Sequence, residues 1–168
     1  VSAVEAKILK FNGSTSGSVL STEIDSNNDQ SKAGLTSGGG KSTLGAFTFQ
    51  SLTEYAVAGA ATCPNGQSGT ALSLVSGSGH TVIRFSTGDL LFSRPKSATL
   101  CFDPTLVRFF LTSGESEVVG GTGKYTNATG SIQLIGGIAQ RLFITPSSSG
   151  NRTFNTTTTE FLGTVVLP

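Results

Sequence analysis

Apolar and polar residues alternate along much of this chain with a period of two, which is typical of β-strands with one buried face. In the stretch LGAFTF, residues 44–49, Phe47 and Phe49 lie on one face of the predicted strand. Farther along, Ile132 and Leu134 alternate with polar neighbours in the same way. This periodicity predicts strands and little or no helix.

The alternation predicts a series of short strands separated by turn residues. They fall at residues 4–11, 19–24, 44–49, 54–58, 69–75, 81–86, 90–93, 98–102, 106–112, 115–119, 130–135, 139–145 and 161–167. Short strands with turn signals about every 8–12 residues favour a barrel or a sandwich. No linker divides the chain, so residues 1–168 are expected to form one domain.

Residues 25–42 have almost no apolar content and predict a long exposed loop. The loop ends in GGGKS, which approaches a phosphate-binding motif. Such a motif requires a further glycine where Leu35 stands, and a helix after the serine, whereas a strand pattern follows here. We therefore do not expect nucleotide binding.

A glycine-rich turn interrupts the alternation between residues 117 and 134. Gly120, Gly121 and Gly123 allow positive φ angles and close approach of the backbone, so the strand can bulge or turn there. Tyr125 can then fold back as an anchor, and Gly130 leaves room for its ring. These five residues form the predicted structural motif.

This element, GGTGKYTNATG at residues 120–130, resembles the GGTG, aromatic, A-x-G element of allene oxide cyclases, dirigent proteins and related secreted bacterial barrels. Residues 44–49 resemble an early strand of the same proteins. The resemblance implies an all-β fold, a single antiparallel eight-stranded barrel. Because that family includes cyclases, stereochemistry-directing proteins and domains of unknown role, it implies no single activity.

The interior of an eight-stranded barrel is filled by side chains or holds one small ligand. Candidates for binding such a ligand are the charged and aromatic polar residues within apolar strands. They are Glu54, Tyr55, His80, Arg84, Arg108, Glu117 and Tyr125, with Glu115 and Arg141 in a wider set.

Alternation separates some of these candidates. His80 and Arg84 share a face opposite Ile83 and Phe85, so they face either solvent or a polar lumen. Arg108 lies in a strand that is apolar on both faces. If buried, it would require a carboxylate partner, which Glu115 or Glu117 could supply.

The chain offers little for the familiar catalytic sites. It has one histidine, no nucleophile-elbow motif and no closely spaced pair of metal ligands, so we predict no catalytic residue, no metal and no cofactor. Three functional classes remain: a barrel that binds a small apolar or carbohydrate-like ligand without converting it, a cofactor-independent cyclase or isomerase, and a structural or surface-assembly subunit. The third would have a lumen filled by phenylalanine and would use its strand edges, the long loop or the Thr-rich residues 153–159 for self-association.

Composition limits the kinds of binding partner and the cellular compartment that we expect for this protein. The formal net charge is +1 without a cluster of Lys or Arg, which disfavours nucleic acid as a partner. No apolar stretch is long enough to span a bilayer, and Val1 would fit a mature protein after removal of a leader. The low charged fraction of 12% and four Asn-x-Ser/Thr sequons favour a secreted, extracellular or periplasmic protein.

The two cysteines support the same compartment. Cys63 lies in a turn and Cys101 ends an apolar strand, and both are beside polar turn residues. We predict a Cys63–Cys101 disulfide, with two unrelated buried thiols as the alternative.

Overall fold

The computed structural model of the protein describes residues 5–21, 31–147 and 150–168. This part of the chain contains ten strands and a short 3-10 helix, Gly123–Tyr125. The strands are β1 Lys7–Lys10, β2 Gly13–Ser21, β3 Lys32–Ser42, β4 Gly45–Thr62, β5 Ser68–Leu74, β6 His80–Phe85, β7 Leu90–Asp103, β8 Arg108–Gly121, β9 Thr129–Ser147 and β10 Gly150–Leu167.

The strands form one antiparallel sheet that closes on itself. The order is β10-β2-β3-β4-β5-β7-β8-β9, and β9 pairs back with β10 to complete a ring of eight positions. Like β5, β6 pairs with both β4 and β7, so the two short strands follow one another at one position of the ring. Likewise, β1 and β2 pair with successive parts of β10. The predicted antiparallel eight-stranded barrel is confirmed.

The predicted exposed loop at residues 25–42 is wrong where the structure describes it, and residues 25–30 lie outside the described residues. Lys32–Ser42 is strand β3, paired along its length with β2 and β4. Its glycines make room for aromatic rings of β4: a Cβ on Gly40 would lie 2.6 Å from Phe47 Cζ, and one on Gly38 would lie 3.0 Å from Phe49 Cε1. Since the neighbouring strand supplies the apolar side chains, β3 itself shows no apolar pattern.

Several predicted short strands are parts of longer ones. Residues 90–93 and 98–102 both belong to β7, residues 106–112 and 115–119 are covered largely by β8, and β9 runs for 19 residues. The pairing of β7 with β8 shifts register between Phe92 and Ser93, between Pro95 and Ser97, and between Thr99 and Leu100. Such bulges reset the alternation without ending the strand, so the sequence pattern is interrupted where the strand is not.

The main hydrophobic core lies at one end of the barrel. It contains the rings of Phe11, Phe47, Phe85, Phe161 and Tyr125, with neighbouring ring centroids 4.8–6.0 Å apart. Each buried ring removes a large apolar area from water, and tilted ring pairs add to this stabilisation. The aromatic cluster therefore closes this end.

The glycine-rich turn brings Tyr125 into that cluster. Gly120, Gly123 and Gly130 have φ angles of 131°, 57° and 142°, in the region that favours glycine. At Gly121 a Cβ would lie 2.6 Å from Tyr125 Cβ. The glycine-rich backbone can therefore turn sharply and pass close to Tyr125, which is fully buried at this end of the barrel.

The predicted Cys63–Cys101 disulfide is present, with the two Cα atoms 5.5 Å apart. It joins the turn after β4 to β7, and Phe110 packs against it. Among the described residues, no helix has both the length and the apolar character needed to cross a bilayer.

Candidate functional site

The barrel surrounds a cavity of about 600 Å³. Every second residue of a strand faces it, as β4 illustrates with Phe49, Ser51, Thr53, Tyr55 and Val57. The intervening residues of β4 point away from the cavity. The lumen is therefore built by the same alternation that predicts the strands.

The two ends of the cavity differ. At the aromatic cluster, the lining residues Phe11 and Phe161 are only 1% and 4% exposed. At the opposite end, the lining residues Val57 and Ile144 are 69% and 45% exposed. The lumen is closed by aromatic rings at one end and reaches solvent at the other.

The wall combines apolar surface with many hydroxyl groups. Its larger apolar residues away from the closed end include Leu72, Leu100, Phe102, Phe109 and Leu111. Its hydroxyl residues include Thr15, Thr36, Ser51, Thr53, Thr70, Thr81, Ser93, Ser97, Ser116, Thr153, Thr157 and Thr159. Some hydroxyls pair with one another, as Thr81 Oγ1 does with Ser51 Oγ at 2.8 Å. Such a wall can hold an apolar body and hydrogen-bond a few polar groups.

Arg141 of β9 brings a positive charge into this wall. Its guanidinium carbon lies 5.6 Å from the centroid of the Phe102 ring. Its Nε is buried and has no hydrogen-bond partner within the described part of the chain. Burial lowers the pKa of Arg141, because the charged form loses hydration.

Asn155 of β10 lies directly across the strand pair from Arg141 and also lines the lumen. It is 2% exposed. Its Nδ2 donates to Thr153 Oγ1 at 3.4 Å, while its Oδ1 is buried without a partner among the described residues. Two adjacent lining residues thus carry unused polar atoms.

Tyr55 is the one residue of the seven predicted ligand-binding candidates that lines the lumen. Burial raises the pKa of its hydroxyl, and a hydrogen bond with Thr53 opposes that shift. The hydroxyl is protonated at neutral pH, so it can donate a hydrogen bond to a ligand.

The other candidates lie elsewhere. His80 and Arg84 are exposed, on the face of β6 opposite the lining residues Thr81 and Ile83. Glu54 is buried on the outer side of β4, where the Ser31 hydroxyl donates to its carboxylate. These polar residues of β4 and β6 therefore lie on the outer faces of their strands, away from the lumen.

The predicted pairing of Arg108 with Glu115 or Glu117 is wrong. Arg108 Nε donates to Gln140 Oε1 at 2.7 Å, across the β8–β9 pair. Glu117 instead lies 3.4 Å from Lys96 on an exposed surface. An extended strand advances by about 3.3 Å per residue. Both glutamates lie several residues farther along β8 than Arg108, so neither carboxylate can reach its guanidinium.

Tyr125 belongs to the closed end and does not line the cavity. The lumen also contains three side chains with a charged or amide group that are not among the seven candidates: Lys32, Arg141 and Asn155. Arg141 and the small residue Ala139 are two positions apart, so they lie on the same face of their strand, and both line the lumen. The alternation in the sequence could therefore have placed Arg141 in the lumen. Lys32 lies in the stretch that the sequence predicts as a loop, and Asn155 lies in the Thr-rich residues 153–159, where no pattern marks it as a lumen residue.

No protein-family model and no curated protein sequence matches the chain. Among solved structures, the pterocarpan synthase dirigent protein aligns with 97% of this chain and 88% of its own, at 10% sequence identity and a TM-score of 0.28. That score is too low to support an argument about family or activity. The barrel is established by the strand pairing of this chain itself.

Proposed function

We propose that this protein binds a small, mainly apolar ligand in the barrel lumen and does not convert it. The observation that supports this is the cavity of about 600 Å³, closed by aromatic rings at one end and accessible at the other. Small-molecule sites in proteins commonly have volumes of about 300–1,000 Å³. A structural barrel filled by phenylalanine would lack such a space.

The titratable groups of the wall favour binding over catalysis. Among the described lining residues these groups are Lys32, Tyr55 and Arg141, without a carboxylate or a histidine. A cyclase that uses the same lumen would have to rely on Tyr55 or the two cations for proton transfer. Hydroxyl groups and apolar side chains, which make up most of the wall, are better suited to holding a ligand.

The disulfide supports an oxidising compartment as the place where the protein works. We therefore propose a secreted or periplasmic binding protein. A ligand with a largely apolar surface would be protected from water in the lumen and would enter and leave at the open end.

Adjacent threonines of β10 provide a matched test. Thr157 lines the lumen, whereas Thr158 is exposed on the outer face. The neutral probe N-phenyl-1-naphthylamine should bind the wild type with enhanced fluorescence. Thr157→Trp should weaken this binding by occupying part of the cavity, and Thr158→Trp should retain it.

Ala139→Trp, with Ile135→Trp on the exposed outer face of β9 as its control, repeats the test from β9. Circular dichroism establishes that each variant is folded. Equal binding by lumen-facing and outward-facing variants would contradict the proposal. If instead only the lumen-facing variants lose binding, native mass spectrometry of protein from its own source would identify the natural ligand as a non-covalent adduct that is lost on denaturation.

Self-association is a second candidate role, and a row of apolar side chains on the outer wall favours it. Phe143, Phe154, Leu20, Leu35 and Leu52 are successive partners across β9, β10, β2, β3 and β4. The first two rings stack with centroids 5.2 Å apart, and Leu35 is 47% exposed. The next outer row across β10, β2, β3 and β4, Thr156, Ser18, Ser37 and Gln50, is uncharged, so two copies can meet there without repulsion.

This role requires that outward side chains of the row, including Phe154, form the contact, and not the backbone of the Thr-rich segment. Residues 153–159 are paired on both sides within the barrel, with β2 and β9. Light scattering coupled to size exclusion should give a multimer for the wild type and a monomer for Leu35→Glu. Val119→Glu, on the outer face of β8, should behave as the wild type. A monomeric wild type would exclude this role.

A further inference from the structure

Arg141 brings a positive charge to the wall of the lumen. Of the described lining residues, Lys32 and Arg141 are cationic and none is acidic. Arg141 lies against the Phe102 ring, where the ring face and the apolar wall replace water. Arg141 is partly exposed, but its Nε is shielded from water, and the hydration lost at that atom can be offset by an anionic partner.

The unused hydrogen-bonding atoms indicate where that partner belongs. Arg141 Nε and Asn155 Oδ1 are both buried without partners in the described part of the chain, and the two residues are directly paired across β9 and β10. Buried polar atoms in proteins are nearly always hydrogen-bonded. Two such atoms on paired lining residues of a ligand-sized cavity mark a place where a polar group of a ligand would find hydrogen-bond partners.

The chemistry of the two side chains defines that group. A guanidinium presents a planar set of donors that matches the paired oxygens of a carboxylate or sulfonate. An amide can present its oxygen or its nitrogen after rotation about its last side-chain bond, so Asn155 can donate to the same anion. The rest of the wall combines apolar side chains with hydroxyl groups, which suits a mainly apolar body.

We propose that the ligand is an amphipathic organic anion, with an apolar body in the lumen and one carboxylate or sulfonate group bound by Arg141 beside Asn155. This inference rests on the proposed function, since it requires that the lumen holds a ligand. It goes further in assigning the charge of the ligand and the two residues that recognise it. Exposed cations such as Arg84 have no part in it.

Two fluorescent probes that differ mainly in one anionic group provide the test. 8-Anilinonaphthalene-1-sulfonate carries a sulfonate on the ring system of the neutral N-phenyl-1-naphthylamine. The wild type should bind both probes. Arg141→Gln should weaken binding of the anionic probe by about 10-fold to 100-fold, as expected for loss of a charged hydrogen-bond donor, and leave binding of the neutral probe unchanged.

Arg84→Gln makes the same change of charge on the outer wall and should leave both affinities unchanged. Asn155→Asp is nearly isosteric and supplies Arg141 with a carboxylate of its own. It should therefore weaken binding of the anionic probe without weakening that of the neutral one. Because this variant keeps the volume of the wall, it tests the inference even if Arg141→Gln fails to fold.

The outcomes separate the two proposals. If the wild type binds neither probe, the proposed function is wrong and the anion site with it. If the neutral probe binds in the lumen but Arg141→Gln and Arg84→Gln affect the anionic probe equally, ligand binding stands and the anion site is wrong. A parallel loss of both probes in the Arg141 and Asn155 variants would attribute the effect to packing and would also overturn the inference.

Discussion

Asn65 Nδ2 donates a hydrogen bond of 2.7 Å to Asp103 Oδ2, two residues beyond each half of the Cys63–Cys101 disulfide. The two links run side by side from the turn after β4 to the end of β7. Asp103 is fully buried and also accepts hydrogen bonds from the backbone N–H groups of Thr105 and Leu106. The turn is thus held by one covalent and one electrostatic link.

Loss of the disulfide should destabilise the barrel. Replacing Cys63 and Cys101 together by alanine removes a crosslink with a sequence separation of 38 residues. The loop-entropy model gives a loss of about 3–4 kcal/mol in the free energy of unfolding. Urea denaturation of the double variant and the wild type measures this difference, and a loss below about 1 kcal/mol would show that the denatured chain is little constrained by the bond.

The second link should make stability depend on pH. The hydrogen bond from Asn65 is the largest cause that lowers the pKa of Asp103; burial opposes it, and the Thr105 and Leu106 N–H groups support it. Because the folded-state pKa is below the unfolded one, this carboxylate contributes stability above its unfolded pKa of about 4. That contribution is lost as the pH falls through the folded pKa.

Asp103→Asn should therefore be less stable than the wild type at neutral pH, and the difference should shrink as the solution is acidified below about pH 4. Asn65→Ala removes the main hydrogen bond and should reduce the same pH dependence in part. Urea denaturation across this pH range measures both. A difference between Asp103→Asn and the wild type that stays constant with pH would contradict the assignment.

Gly40 should tolerate no side chain. A Cβ there would lie 2.6 Å from Phe47 Cζ and 2.5 Å from the carbonyl oxygen of Ser14. We expect Gly40→Ala to lower the free energy of unfolding by about 1–3 kcal/mol through overpacking. Gly136→Ala is the control, since no atom lies within 4 Å of its added Cβ. Thermal denaturation of both would refute the packing argument if Gly40→Ala were as stable as the control.

Tyr125 should stabilise the closed end through its ring and not through its hydroxyl. The ring packs 4.9 Å from that of Phe85, whereas the hydroxyl oxygen is buried without a hydrogen-bond partner in the described residues. Tyr125→Ala should cost about 3–5 kcal/mol of unfolding free energy. Tyr125→Phe should remain within about 1 kcal/mol of the wild type, because it removes only the unpaired hydroxyl.

Chemical denaturation of the two Tyr125 variants distinguishes these contributions. If Tyr125→Phe lost as much stability as Tyr125→Ala, the hydroxyl would have an essential partner. If Tyr125→Ala lost little, the glycine-rich turn would not depend on its aromatic anchor.

Local patterns were sufficient for the class of fold. Alternation in residues 44–49 and 130–135 predicted strands, the glycines before Tyr125 predicted a sharp turn, and the surroundings of Cys63 and Cys101 predicted their bond. Each of these signals lies within a few neighbouring residues. The sequence failed at β3, because its glycines are explained by Phe47 and Phe49 on another strand.

The candidate site could not be predicted from local patterns, because it is formed by contacts between strands that are distant in the sequence. Alternation separates the two faces of a strand, but only closure of the sheet decides which face lines the lumen, and thus places Tyr55 inside and Arg84 outside. Likewise, Arg108 meets Gln140 and Arg141 meets Asn155 because of the register between distant strands. The sequence by itself determined the strands, the turn and the disulfide, while tertiary pairing decided the lumen and its polar groups, since register is set by packing around the whole ring.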